Sequence, residues 1–287
     1  MTRIATHAAT KELLLQNGLW ARKELGQNFL VDGFVVDKIV RAADVRAGEL
    51  VIEIGPGLGG LTQALCESGA DVAALEIDKR MAGVVRNILP QCIVINDDAM
   101  RVDIPQIATE LGYSCFKIVA NLPYYITTPL IMKMLEHEYA QGQARMLSAT
   151  LMMQREVADR ISAQPGTKGY GALSLGVAYR AGVSLVANVP RNCFLPRPSV
   201  DSAVVHLVPH TVAPVSVEDE GLMFSIIKAA FGMRRKTLLN CMAHKYDRTK
   251  DEISRIISLS GVSPQARAET LGLDEYARLA NEFQGIV

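Results

Sequence analysis

The chain has 287 residues, 49% hydrophobic and 21% charged, with 30 Lys and Arg against 30 Asp and Glu, for a formal net charge of zero. That composition excludes a disordered or collagen-like chain, and the length allows a sizeable core in one large or two modest domains. Zero net charge excludes a global basic field, five scattered cysteines without a Cys-x-x-Cys pair suggest neither a disulfide framework nor a zinc site, and no apolar stretch reaches the ~18 residues of a spanning helix.

The first residues, "MTRIATHAATKELLLQNG", hold no apolar leader core and no small-residue cleavage pattern. With the cysteine usage, this predicts a cytoplasmic protein with no membrane partner. Residues 11–17 suit a short helix stopped by Gly18. Over 32–43, Phe34, Val35, Ile39, Val40 and Ala43 recur at helical spacing behind Asp32, a candidate N-cap. Strand-like and helical runs then alternate: strand 50–54, helix 60–69 closed by glycine, strand 72–77, helix 79–88, and strands 92–96 and 116–121. A helix over 128–137 has Thr128 as its expected cap and Pro129 in its first turn, followed by strand 145–153, helix 155–163, and strand runs 173–189 and 202–209. The alternation implies an α/β fold with a Rossmann-like, largely parallel sheet. The last two strands lack a long helix between them, so one is expected to be antiparallel. Residues 210–221 read as a linker, and 222–231, 234–243, 251–260 and 274–283 as helices broken at Gly232, Gly261 and Pro264. The expected division is 1–209, with the helical segment 1–48 included, and an all-helical C-terminal domain over 210–287.

"VIEIGPGLGGLT" places Gly55, Gly57, Gly59 and Gly60 between the first strand of the alternating region and its helix. A glycine-rich turn there lets a ligand approach the backbone and meet a helix N-terminus. The string satisfies both Gly-x-Gly-x-Gly and the dinucleotide fingerprint, so alone it does not separate a nicotinamide enzyme from an S-adenosylmethionine enzyme. Glu76 ends the next strand, where a carboxylate accepts ribose hydroxyls for either cofactor. Three details favour S-adenosylmethionine. Pro56 removes a backbone donor where a pyrophosphate wants one. Glu53 adds negative charge that suits a cationic sulfonium. Asp98, in "INDDAM", can accept from an adenine amino group.

"ANLPYYITTPL" follows the strand that ends at Asn121. An amide, a backbone that cannot donate at Pro123, and the Tyr124 ring together suit a planar ring bearing an amine, such as adenine. The segment 228–250 carries seven cations against Asp247 alone, and its Arg234, Arg235 and Lys236 are expected at a helix start, where cations oppose the dipole. They are candidates for a phosphate-binding face. His206 and His210 lack metal-like spacing.

Taken in order, "LGQNFLVD" (25–32), "EIGPGLGGLT" (53–62), "LEID" (75–78), "DDAM" (97–100), "NLPYYITTPL" (121–130) and "FLPRPSVDSAVV" (194–205) resemble the KsgA/RsmA-type ribosomal RNA adenine dimethyltransferases over essentially the whole chain. The Erm methyltransferases share this core and are the alternative; a non-catalytic RNA-binding assembly factor on the same fold is another. The resemblance implies methyl transfer from S-adenosyl-L-methionine to N6 of two adjacent adenosines near the 3′ end of 16S rRNA in the small ribosomal subunit, by a monomer, with S-adenosyl-L-homocysteine as product. It implies that Gln27, Asn28 and Leu30 border the methionine end of the cofactor, that Gly55 and Glu76 hold methionine and ribose, and that Asp98 holds the adenine. Gly57, Ile77 and Ala99 belong to the same site, and the adjacent Asp97 leaves the adenine contact open between the two aspartates. Asn121 is expected to meet both cofactor and target amine, with the Leu122 or Pro123 carbonyl as second acceptor. Tyr124 is expected to stack on the target base and Phe194 to cover its other face.

Overall fold

The computed structural model describes residues 2–137, 139–233 and 235–284. Two compact units are present: Met1–Ala158 with Val183–Pro209, and Asp159–Gly182 with His210–Val287.

In the first unit, α1 (His7–Gln16) is capped by Thr6, whose side chain accepts from the Ala9 N–H. The two-residue strand β1 (Phe29–Leu30) leads to α2 (Gly33–Ala43), where Asp32 caps as expected, accepting from the Phe34 and Val35 N–H groups. Val35, Val36, Ile39 and Ala43 form the buried stripe of α2. The alternating region follows: β2 (Leu50–Ile54), α3 (Gly60–Glu67), β3 (Asp71–Leu75), α4 (Lys79–Ile88), β4 (Ile93–Ile95), α5 (Ile104–Glu110), β5 (Cys115–Asn121), α6 (Thr127–Leu135), β6 (Arg145–Gln154) and α7 (Arg155–Ile161). Next in the chain come α8 (Ala172–Arg180), which belongs to the second unit, and then β7 (Ala181–Val189), β8 (Phe194–Leu195) and β9 (Ser202–Pro209). Among the described residues, β4-β3-β2-β5-β6-β9-β7 form one seven-stranded sheet and β1-β8 a small second one.

The β2, β3, β4, β5 and β6 neighbours pair in parallel, and β6 pairs with β9 antiparallel. The chain leaves β2 toward β3 and β4, then returns to lay β5 on the other side of β2. The crevice beyond β2 and β5 is therefore the topological switch point, where open α/β sheets bind ligands.

Three expectations are corrected. The run 173–189 is not one strand: its first part is α8, because a continuous apolar run does not distinguish helix from strand. A seven-residue helix, α5, capped by Asp103 with a proline in its first turn, lies where no helix was expected. Helix α6 begins at Thr127 behind Ile126, so Thr128 does not cap it; the Thr127 hydroxyl instead reaches the Pro123 carbonyl at 3.1 Å.

The second unit is helical, with α9 (Glu220–Gly232), α10 (Leu238–Tyr246), α11 (Lys250–Leu259) and α12 (Leu273–Phe283) around a core that includes Met223, Ile226, Met242, Ile257, Tyr276 and Phe283. Tyr170 and Leu175 are buried in the same core, which draws residues 159–182 into this unit rather than the sheet domain expected over 1–209. Thr237 caps α10, so that helix starts later than residue 234. Among the described residues no helix is long and apolar enough to cross a membrane.

Candidate active site

An open cavity lies beyond the carboxyl ends of β2, β3 and β5. All ten residues expected to hold the cofactor line it: Gln27, Asn28, Leu30, Gly55, Gly57, Glu76, Ile77, Asp98, Ala99 and Asn121. Asn121, Leu122, Pro123 and Tyr124 of the expected catalytic set line it as well.

The turn from β2 into α3 needs positive φ at Gly55 (73°) and Gly57 (57°), which a side chain disfavours. The Gly55 N–H donates to the Leu75 carbonyl at 2.9 Å. Glu76 ties this turn to the end of β3: one carboxylate oxygen accepts from the Gly57 N–H at 3.1 Å and the other from the Asp78 N–H at 2.8 Å. Burial pushes its carboxyl up to about 7. The Asn96 amide, a role that sequence reading missed, donates to the Glu76 carbonyl at 2.7 Å and so fixes the backbone that presents the carboxylate. Ile77 is 48% exposed although it borders the cavity, an apolar edge suited to a flat ring.

Asp97 and Asp98 both line the cavity. The Asp97 carboxylate accepts the Asp98 N–H at 2.7 Å, and Asp98 accepts the Met100 N–H at 2.9 Å, so each shapes the turn with one oxygen. Lys133 on α6, also missed, donates to the Ala99 carbonyl at 3.0 Å and the Val102 carbonyl at 2.6 Å. It pins the aspartate turn to the helix that follows the Asn-Leu-Pro-Tyr segment, and burial pushes its ammonium down.

At the end of β5, the Asn121 amide nitrogen donates to the Asn28 carbonyl at 3.0 Å. A carbonyl only accepts, so the NH2 group must point there and Oδ1 remains as an acceptor. The Pro123 carbonyl is already occupied, accepting the Ile126 N–H at 3.2 Å and the Thr127 hydroxyl at 3.1 Å. Among the described residues nothing donates to the Leu122 carbonyl, while the Leu122 N–H is held by the Met152 carbonyl at 3.0 Å. Of the two carbonyls left open by the sequence, Leu122 is the available acceptor. The Tyr124 hydroxyl pairs with the Ser202 hydroxyl at 3.1 Å, a link from the "FLPRPSVDS" motif that sequence reading did not foresee, and burial raises the phenol.

Phe194 departs from expectation. It is 4% exposed in the hydrophobic core, opposite Leu30 in the β1–β8 pair, and the cavity walls among the described residues do not include it. Its backbone joins the two-residue sheet, and the ring follows that register inward. The structure does not bring it to face Tyr124 across the cavity.

Glu53 is also corrected. It lines the cavity but is almost fully buried, and Oε2 has no partner among the described residues. Burial pushes its carboxyl up to about 8, so at neutral pH it is protonated, not the fixed negative charge expected from residue type. The folded protein thus holds a proton that the unfolded chain releases near 4.5. Stability from this group is full below about 4.5 and falls as pH rises to about 8, with Glu76 adding the same sign up to about 7. Thermal melts of Glu53→Gln are expected to lose less stability than the parent across that window; parallel curves would contradict the protonated assignment.

In the helical unit, Arg235 and Lys236 are exposed in the turn before α10, outside its first helical turn; Arg234 lies outside the described residues. Lys245 donates to Ser225 on α9 at 2.7 Å, which puts it on the face that Lys228 shares one turn further along α9.

A family model described as "Ribosomal RNA adenine dimethylase" matches residues 18–285. The chain is 45% identical over 279 residues to "Ribosomal RNA small subunit methyltransferase A" of Lachnoclostridium phytofermentans, covering 95% of this chain and 94% of the relative. It is 40% identical to the protein of the same name from Clostridioides difficile, covering 98% and 97%. Among solved structures, a dimethyladenosine transferase from Plasmodium falciparum superposes with a TM-score of 0.71 at 26% identity over 88% of this chain and 96% of that one. The 23S rRNA methyltransferase ErmE gives a TM-score of 0.66 at 26% identity over 89% and 99%.

Proposed function

Because the chain belongs to the ribosomal RNA adenine dimethylase family, we propose that it transfers methyl groups from S-adenosyl-L-methionine to N6 of two adjacent adenosines near the 3′ end of small-subunit rRNA, leaving N6,N6-dimethyladenosines. In this reading it acts as a cytoplasmic monomer on the small ribosomal subunit. One observation carries the reading: the Asn121 amide, oriented by the Asn28 carbonyl, offers a fixed acceptor beside the free Leu122 carbonyl in the cavity that Glu76 and the glycine turn enclose.

The residues present suit the proposed donor. The Glu53 carboxyl is a buried polar group at the cavity wall, and a cationic moiety bound there would favour its ionised form over the protonated one. Glu76 suits ribose hydroxyls, Ile77 and Ala99 the flanks of a purine, and Asp98 its amino group, while Gln27, Asn28, Leu30, Gly55 and Gly57 border the rest. Bound there, the sulfonium supplies an electrophilic methyl group. The chain's own part is to prepare the nucleophile. An aromatic amine is weak because its lone pair is delocalised into the ring. Oδ1 of Asn121 and the Leu122 carbonyl accept its two N–H bonds, favour a pyramidal nitrogen, and free the lone pair. Dipoles placed in advance stabilise the transition state without reorganising. A strong base is not required, since the proton leaves after transfer. Tyr124, tethered by Ser202, offers a face on which the extruded base stacks, worth ~1–3 kcal/mol against the cost of unstacking. With Phe194 buried in the core, that stack is one-sided in this conformation.

The likeness to ErmE makes large-subunit rRNA the second substrate to test. With labelled donor and subunits from a strain lacking the modification, small subunits are expected to take up label and large subunits not; label in large subunits alone would overturn the assignment.

Arg235 and Lys236 are proposed, with Arg234, to meet RNA phosphates. Replacing Arg235 and Lys236 by Gln is expected to weaken RNA binding and to flatten the log–log salt dependence by roughly one to two units. An unchanged slope would leave them as solvated surface.

A further inference from the structure

The chemistry proposed above does not use Tyr125. This residue is 57% exposed, yet it lines the same cavity as Tyr124. The two consecutive rings are held by different parts of the chain. Tyr124 is tied through its hydroxyl to Ser202 at the start of β9. The Tyr125 ring lies against the backbone of Gly26, where an added Cβ would sit 3.4 Å from Tyr125 Cδ1 and 3.4 Å from Pro123 Cβ. Gly26 is in the left-handed region, φ 62°, and carries no side chain to crowd the edge of the Tyr125 ring.

The segment that provides this seat is rich in groups that bind nucleic acid. Trp20 is 65% exposed, with the Arg80 guanidinium 5.6 Å from its ring centroid. Arg22 and the exposed Lys23 follow it in sequence. Arg80 pairs with Asp78 at 2.9 Å and Arg22 with Glu24 at 2.7 Å, so the segment's contribution is chiefly its exposed aromatic ring, a face of the kind on which unpaired bases stack. A ring already held by packing loses little conformational freedom when a base covers it.

We infer that Tyr125, seated on Gly26, is the stacking platform for the purine base next to the target adenosine, while the target itself goes to Tyr124. This inference rests on the methyltransferase reading. The two bases would part over two rings that adjacent residues present from one turn.

The test compares the parent protein, Tyr125→Ala and Tyr125→Phe on unmodified small subunits, with the neighbouring nucleotide either adenosine or replaced by uridine, which stacks less well. Tyr125→Ala is expected to raise KM for adenosine-containing subunits about tenfold, more than it lowers kcat. The uridine subunits are expected to be poorer substrates for the parent and for Tyr125→Phe, whereas Tyr125→Ala discriminates little between the two. Equal KM for the parent and Tyr125→Ala, or an equal uridine penalty in both, would overturn the platform. Failure of the parent to label small subunits at all would instead overturn the methyltransferase reading.

Discussion

Replacing Asn121 by Ala is expected to lower the rate of methyl transfer by at least about a thousandfold while the protein still binds S-adenosyl-L-homocysteine. Removing a single preorganised hydrogen-bonding group at a reacting centre typically lowers kcat by ~10²–10³. In the proposed mechanism Asn121 supplies one of two acceptors that reshape the amine, so its loss would also leave the lone pair in the ring. The donor's other proposed contacts, at Glu76, Ile77 and Asp98, lie in the turns after β3 and β4 and do not depend on this amide. Asn121→Asp separates orientation from mere acceptor chemistry. The carboxylate keeps an acceptor but sets an oxygen 3.0 Å from the Asn28 carbonyl, where the amide now donates, so it swings away. Its rate is expected to fall nearly as far as that of Asn121→Ala. Single-turnover label transfer, with calorimetric titration of S-adenosyl-L-homocysteine, separates chemistry from binding. Full activity in Asn121→Asp would mean that the Asn28 contact does not set the geometry.

The features legible in the sequence were those whose meaning is local. Four glycines between a strand and a helix, a carboxylate ending the next strand, and Asn-Leu-Pro-Tyr after another all specify backbone and chemistry within a few residues. All of them but Gly59 line the cavity. What the sequence hid depends on contacts far along the chain. Lys133 matters because it reaches carbonyls more than thirty positions away, and Ser202 because it meets a hydroxyl across 78 positions. No periodicity encodes either. Phe194 was placed by motif alone, whereas its ring follows a two-residue pairing with β1, too short to leave a pattern. Glu53 was read by its residue type, but its charge is decided by burial, which a sequence does not display. The Pro123 carbonyl looked free until the turn into α6 occupied it twice. Lys133 and Ser202 were missed outright, whereas for Phe194, Glu53 and Pro123 the residue was named and its environment was the missing information.

Glu76 is the residue whose loss is expected to abolish donor binding rather than chemistry. Its carboxylate does two jobs: it receives the Gly57 and Asp78 N–H groups, which joins the glycine turn to β3, and its remaining lone pairs face the proposed ribose. Hydrogen bonds to a charged group are worth ~1.5–3 kcal/mol each, so losing two of them weakens binding by at least about a hundredfold. Glu76→Ala is expected to show that loss toward S-adenosyl-L-homocysteine, while RNA binding through Arg235 and Lys236 in the other unit persists. The pH dependence gives an independent check. Burial pushes the carboxyl up to about 7, and ribose hydroxyls donate best to its ionised form. Binding therefore favours release of the proton, and affinity in the parent falls as pH drops through about 7. Glu76→Gln keeps one acceptor but turns an NH2 toward a backbone donor, so its affinity is expected to be intermediate and flat with pH. Because Glu53 titrates in the same cavity and with the same sign, the comparison must be repeated in Glu53→Gln. If the pH slope survives in Glu76→Gln and vanishes in Glu53→Gln, the buried glutamate of β2, and not Glu76, is the group that releases its proton to solvent when the ligand binds.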